Sequence, residues 1–160
     1  MQKQWSKIKK HLEESLCEKL KGRVSYFATS YRHTHDGQGR VCILVDKKEI
    51  INMPFTNYGE LNDELHRLRE ETGSQYFNYE QASINLTQKG VLTPWAFSSA
   101  YDDFCVKPIE ECLSADNYVT RAIALMDKRT GRRTLEKMKE SVIELPEWLQ
   151  FFYDLRISTY

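Results

Sequence analysis

In the stretch from Thr29 to Asp46, TSYRHTHDGQGRVCILVD, two histidines stand one residue apart and a cysteine follows in an apolar run. Residues i and i+2 of a strand point to one face, so His33 and His35 on a strand would stand side by side, about 7 Å apart at Cα. Asp36-Gly37 is a hairpin signal. A two-residue turn there places His33 opposite Arg40 with Cys42 as diagonal neighbour, and a four-residue loop places Cys42 directly across from His33. Either register keeps His33, His35 and Cys42 on one face, and a His, His, Cys set suits zinc or iron. Zinc is therefore the cofactor to test. A fourth ligand is not evident, because Asp36 belongs to the turn, Asp46 ends its strand, and His11 and His66 come from helices. The plainer reading is a solvated hairpin tip, with Cys42 as a small apolar side chain in a half-buried strand. Arg32 and Arg40 flank the tip as cations and give it the look of a recognition edge. No serine or cysteine nucleophile is tied to the histidines by a motif, so no catalytic residue is assigned.

A second chemical grouping lies in RAIALMDKRTGRRTLEKMKE, where Lys128, Arg129, Arg132 and Arg133 surround Gly131. Backbone N–H groups opening a helix after that glycine would add partial positive charge, and a phosphate or carboxylate would be welcome there. Cations closing the preceding helix have a plain role too, since they offset its macrodipole by a few tenths of a kcal/mol. There is no phosphate-binding glycine loop, no zinc-finger spacing and no aromatic interleaving of the single-strand-binding kind.

These residues have to be positioned by a chain that reads as three parts. Trp5, Ile8, Leu12, Leu16 and Leu20 recur at helical spacing, which predicts an amphipathic helix over 1–22 ending near Gly22. RVSYFATSYR, RVCILVD and EIINM predict a three-stranded antiparallel β-meander over 23–53. Its core face carries Val24, Tyr26, Ala28, Val41, Ile43 and Val45. Phe27, Tyr31, Leu44, Ile51 and Met53 make the opposite face apolar as well, so the sheet is expected to be covered on both sides at its middle. Residues 54–160 read as helices. Asn78 and Gln81 have capping-box spacing, and Thr93 with Pro94 marks another helix start. In PEWLQFFYDLRISTY the apolar side chains cover about 240° of a helix where one surface needs about 100°. That helix is expected to be wedged inside its own domain rather than shared with a second chain. The fold class is α+β in a single domain, 1–160, with a helical C-terminal half.

Lysine plus arginine equals aspartate plus glutamate, 23 each, so no global field draws the chain to nucleic acid or membrane. Cys17, Cys42, Cys105 and Cys112 show no pairing framework, the pattern of reduced cytosolic thiols. No run approaches the ~20 apolar residues of a membrane span, and the N-terminus lacks a signal-peptide core. The block from Trp5 to Ile50, together with RAIALMDKRTGRRTLEKM, resembles a family of small bacterial cytoplasmic proteins of uncharacterised activity. The resemblance implies a bacterial, cytoplasmic protein and supplies no site residue. The function read from these features is that of a non-catalytic interaction or adaptor protein, with a protein partner or a homodimer. The alternatives are a nucleic-acid-associated protein using the basic clusters, and a metal-dependent enzyme at the 33–42 hairpin.

Overall fold

The computed structural model describes residues 4–29 and 39–160. Helix α1 spans Trp5–Ser15. It is shorter than its apolar periodicity predicts, because Leu16 turns extended (φ −57°, ψ 145°) and pairs with Asp127 through Cys17 N–H to Met126 C=O and Lys128 N–H to Ser15 C=O. A 3-10 turn over Glu18–Leu20 follows. Leu12, Leu16 and Leu20 are nonetheless all buried. The stripe was legible although the helix carrying it breaks: burial of each leucine, worth about 1.5–3 kcal/mol, is satisfied by either backbone.

Strands β1 (Val24–Thr29), β2 (Arg40–Val45) and β3 (Lys48–Pro54) form an antiparallel sheet in the order β1-β2-β3. Val24, Tyr26, Val41, Ile43 and Val45 face the core as expected. Ile51 and Met53 join them, opposite Ile43 and Val41, rather than lining the other face. The cause is the extra residue at the bulge between the Ile43–Ile51 and Leu44–Glu49 pairs, which shifts the inside and outside positions of β3 by one. On the outer face Phe27 is 45% exposed and Leu44 half-buried while Cys42 is fully buried, so the expected cover on both sides at the middle of the sheet is only partial among the described residues. A two-residue turn, Asp46-Lys47, joins β2 to β3 with φ of 50° and 66°. Asp46 is held there by a bidentate pair with Arg23, at 2.9 and 2.8 Å.

Eight α-helices are found among the described residues. After α1 come α2 (Tyr58–Thr72), α3 (Tyr79–Gln88), α4 (Pro94–Val106), α5 (Ile109–Leu113), α6 (Tyr118–Met126), α7 (Arg132–Val142) and α8 (Glu147–Ile157). Helix α6 is the hub, with Val119, Thr120 and every residue from Ala122 to Met126 buried. Around it lie α4, α5 and α8. Helix α8 is wedged inward: Leu149 and Phe152 are fully buried and Tyr153 donates to the Leu135 carbonyl at 2.7 Å. Buried Arg156 donates to the Thr130 carbonyl and the Thr159 hydroxyl, both at 2.7 Å. Two apolar cores result. The larger unites α1, the sheet and α4 to α8, and a smaller one of Leu61, Leu65, Ala82 and Leu86 binds α2 to α3.

Candidate interaction surface

Of the residues that drew attention in the sequence, Arg32, His33 and His35, with the Asp36-Gly37 turn, lie outside the described residues. Cys42 lies opposite Phe27, and Arg40 opposite Thr29, a register different from those the two expected turns impose. The Cys42 thiol points to the outer face, donates to Asn52 Oδ1 at 3.6 Å, and is pushed up to about 11 by burial and by Glu49 beside it. At neutral pH it is a protonated thiol. Arg40 forms an ion pair with Glu49 at 2.6 Å.

The basic turn is largely compensated by its own chain. Arg129 holds buried Asp127 through Nε at 2.9 Å and lies over the Phe104 ring at 5.1 Å. Lys128 donates to the Glu14 carbonyl at 3.3 Å, and Arg132 pairs with Glu136 at 2.9 Å. Arg133 has no ion-pair partner among the described residues. Gly131 is the N-cap of α7, so Arg132 and Arg133 occupy the first turn, next to the positive end of the dipole. No group of three or more His, Cys, Asp or Glu side chains that could hold a metal is found among the described residues.

A different surface emerges where α2, α3 and α4 meet. Asn78 caps α3 by accepting from Gln81 N–H at 3.0 Å, and Thr93 caps α4 by accepting from Ala96 N–H at 3.1 Å. These caps set where each helix starts, and so place Tyr79 and Trp95 in the two first turns. Their rings meet at 6.3 Å, tilted by 53°. The row continues through Phe77, edge-on to Tyr79 at 6.4 Å and to His66 at 5.0 Å, with the Arg69 guanidinium 4.6 Å over the Phe77 ring. Tyr79 is 50% exposed, Trp95 44%, and neighbouring Tyr76 81%. Single exposed aromatics need no explanation, but a contiguous row does.

The row stands on a hydrogen-bonded junction of α2 and α3, with recesses nearby. Buried Glu64 of α2 accepts from Arg67 at 2.9 and 2.7 Å and from Asn85 of α3 at 2.9 Å. The Arg67 hydrogen bonds, with Asn85 and Lys89, hold its carboxyl down to about 2 against the opposing effect of burial. One cavity of about 270 Å³ lies among Arg69, Thr72, Tyr76 and Asn78. Another, of about 280 Å³, is lined by Glu80, Ser83, Ser99, Asp103, Glu111 and Asp116. Ser83 is four residues after Tyr79 and Ser99 four after Trp95, so both lie one turn beyond the aromatic pair on the same helix faces.

A third grouping joins α1 to α4. Tyr101 Oη and His11 Nδ1 share a hydrogen bond of 2.9 Å, and exposed Cys105 has its sulfur 4.0 Å from the same nitrogen. Burial, with Cys105 as a lesser cause, pushes the Tyr101 phenol up to about 12, so it retains its proton at neutral pH.

The aromatic row is not evident in the sequence because its members sit in α2, in the loop before α3 and in the first turns of α3 and α4, where no periodicity links them. The signal within reach was that a strong N-cap precedes an aromatic twice, as Asn78-Tyr79 and as Thr93-Pro94-Trp95. No helix of the described residues is long and apolar enough to cross a membrane. No curated protein and no solved structure matches the chain. The model of the SF0329 protein family matches residues 4–157, the span that holds α1, the sheet and all seven later helices, and the chain therefore belongs to the SF0329 protein family.

Proposed function

We propose that this protein is a non-catalytic interaction module that docks a partner protein along the aromatic row of α3 and α4. The observation that carries the reading is the Tyr79–Trp95 pair, half exposed and in ring contact at 6.3 Å, with one recess lined by Asn78 and Gln81 and another by Glu80, Ser83 and Ser99. Tyrosine and tryptophan supply large contact area at low entropic cost, and such side chains anchor protein interfaces. The basic turn supports nucleic acid less well, because Lys128, Arg129 and Arg132 are engaged by their own chain. The same reading places the protein in the bacterial cytoplasm, which four unpaired cysteines suit.

The test is selection of a displayed random-peptide library on the intact protein, repeated on a variant carrying Tyr79→Ala and Trp95→Ala. Both rings are substantially solvated, so the variant should fold with an unchanged circular dichroism spectrum. Peptides that bind the wild type and lose at least about tenfold in affinity on the variant are expected, as for removal of hot-spot side chains. Binders indifferent to the two substitutions, or no binders, would overturn the reading.

A further inference from the structure

We infer that the partner segment docked on the aromatic row presents a side-chain carboxylate, aspartate or glutamate, to Arg69 in the recess between α2 and α3; this deepens the docking reading above and rests on it. The first ground is that the chain leaves Arg69 without a counter-charge. Glu64 and Glu71 of α2 both pair with Arg67, at 2.7 and 2.6 Å, whereas the Arg69 guanidinium makes no ion pair or hydrogen bond among the described residues. What holds it is the Phe77 ring, 4.6 Å away, itself packed on the smaller core. A guanidinium over a ring face keeps its in-plane N–H groups available, and a carboxylate accepts two of them at once. Arg69 also stands in the last turn of α2, where it offsets the helix dipole. Any cation fills that role, and it leaves the in-plane donors unused.

The second ground is the lining of the recess. Arg69 is its sole charged residue, and at about 270 Å³ it lies just below the ~300–1,000 Å³ of drug-sized ligand sites, which suits one side chain. Two further donors line it. Ser74 Oγ accepts from Tyr76 N–H at 3.1 Å and Asn78 Oδ1 accepts from Gln81 N–H at 3.0 Å. The Ser74 hydroxyl proton and the Asn78 amide N–H groups are engaged by no acceptor among the described residues, so both remain to donate. A guanidinium, a hydroxyl and an amide around one recess complement an anion.

The third ground is continuity with the row. Phe77, which carries Arg69, meets Tyr79 at 6.4 Å, and Tyr79 meets Trp95 at 6.3 Å. Asn78, between Phe77 and Tyr79 in the chain, lines the recess together with the 81% exposed Tyr76. Arginine, tyrosine and tryptophan are the side chains that most often dominate binding energy at protein interfaces. Helix α2 as a whole is acidic, with Glu60, Asp63, Glu64, Glu70 and Glu71 against Arg67 and Arg69, so no long-range field draws in a strongly acidic partner. Recognition is therefore of one carboxylate at one position, beside apolar or aromatic side chains that cover the rings.

The experiment runs the random-peptide selection in parallel on the full wild-type chain and on Arg69→Gln. Among peptides that depend on Tyr79 and Trp95, the wild type should enrich aspartate or glutamate at one position and Arg69→Gln should not. In the most enriched peptide, changing that residue to its amide should weaken binding about tenfold or more, the scale of a charged hydrogen bond. The loss should fall below about threefold on Arg69→Gln, as coupled groups require in a double-mutant cycle. On Arg69→Lys it should be intermediate, because the charge is kept and the planar fork is lost. A residue that only offsets the dipole would alter stability and leave the preference for acid over amide unchanged. Peptides dependent on Tyr79 and Trp95 but without an acidic preference, or an acid-to-amide loss as large on Arg69→Gln as on the wild type, would each overturn the inference while the docking reading stands. So would equal binding when the acidic residue is moved elsewhere in the peptide, or a loss that follows amidation of the peptide C-terminus instead. Absence of any peptide dependent on Tyr79 and Trp95 would overturn the docking reading itself and the inference with it.

Discussion

Glu64 shows how one residue can tie local chemistry to a surface. Its carboxylate is buried in α2, bridged to α3 through Asn85, and held at about 2 by the Arg67 hydrogen bonds. Because the folded value lies below the ordinary 4.5, the native state favours the ionised form. The resulting stability is complete above pH 4.5 and is lost as pH falls toward 2. Arg67 is half exposed, so the contribution is on the order of 2 kcal/mol after solvent screening. Glu64→Gln should lower stability at pH 7 by about that amount and flatten the acid limb of a denaturant-midpoint series; an unchanged slope between pH 4.5 and 2 would contradict the assignment. The thiols divide as sharply. Cys105 is exposed whereas Cys17, Cys42 and Cys112 are buried, so native protein should react with an aromatic disulfide reagent at one fast thiol, and Cys105→Ser should abolish that phase. Zinc at the hairpin gives a separate expectation. Should His33 and His35 recruit the Cys42 thiol, pushed up to about 11, zinc binding must release its proton and strengthen as pH rises.

At the scale of elements, the turn between β2 and β3 is built from residues poorly suited to it. Asp46 and Lys47 both have positive φ, which a two-residue hairpin of this hand requires and for which asparagine and glycine are preferred. Asp46 is compensated by its bidentate pair with Arg23, while Lys47, exposed and at φ 66°, has no such contact in the turn. Lys47→Gly should raise stability by about 0.5–1 kcal/mol, the backbone relief exceeding the entropy that glycine adds to the unfolded chain, read as a higher urea midpoint at constant slope. This turn also explains what was legible in the sequence. Caps and stripes were: Asn78, Thr93-Pro94 and the Leu12, Leu16, Leu20 spacing each report a local preference that the fold keeps. The end of α1 and the facing of β3 were not. The first is decided by pairing of Leu16 with Asp127, far along the chain, and the second by a single bulged residue that leaves composition unchanged while reversing inside and outside. The aromatic row escaped for a related reason, since it exists only once α2, α3 and α4 are packed.

At the scale of the whole molecule, the two cores differ in how much holds them. The larger is closed by α6 and α8, with Phe152 fully buried and Tyr153 and Arg156 tying α8 to the α6–α7 region through Leu135 and Thr130. The smaller rests on Leu61, Leu65, Ala82 and Leu86, and α2 packs chiefly on α3 and the 3-10 turn at Phe55–Asn57 that precedes it. Fewer buried apolar contacts mean a lower cost of local opening. Native-state hydrogen exchange should therefore show α2 and α3 amides opening with a free energy on the order of half that of α6 and α8. The Glu64→Gln change should lower α2 and α3 further and leave α6 untouched. The proposed docking groove lies across this division, with Tyr79 and Ser83 on the weaker unit and Trp95 and Ser99 on the stronger. A partner seated on both walls binds only the closed arrangement, so both the local opening of α3 and global unfolding release it, and a saturating peptide should raise protection in α3 and in α8 by the same linkage term. A gain in α8 with none in α3 would show that the peptide stays bound when α3 opens and so does not span the two walls.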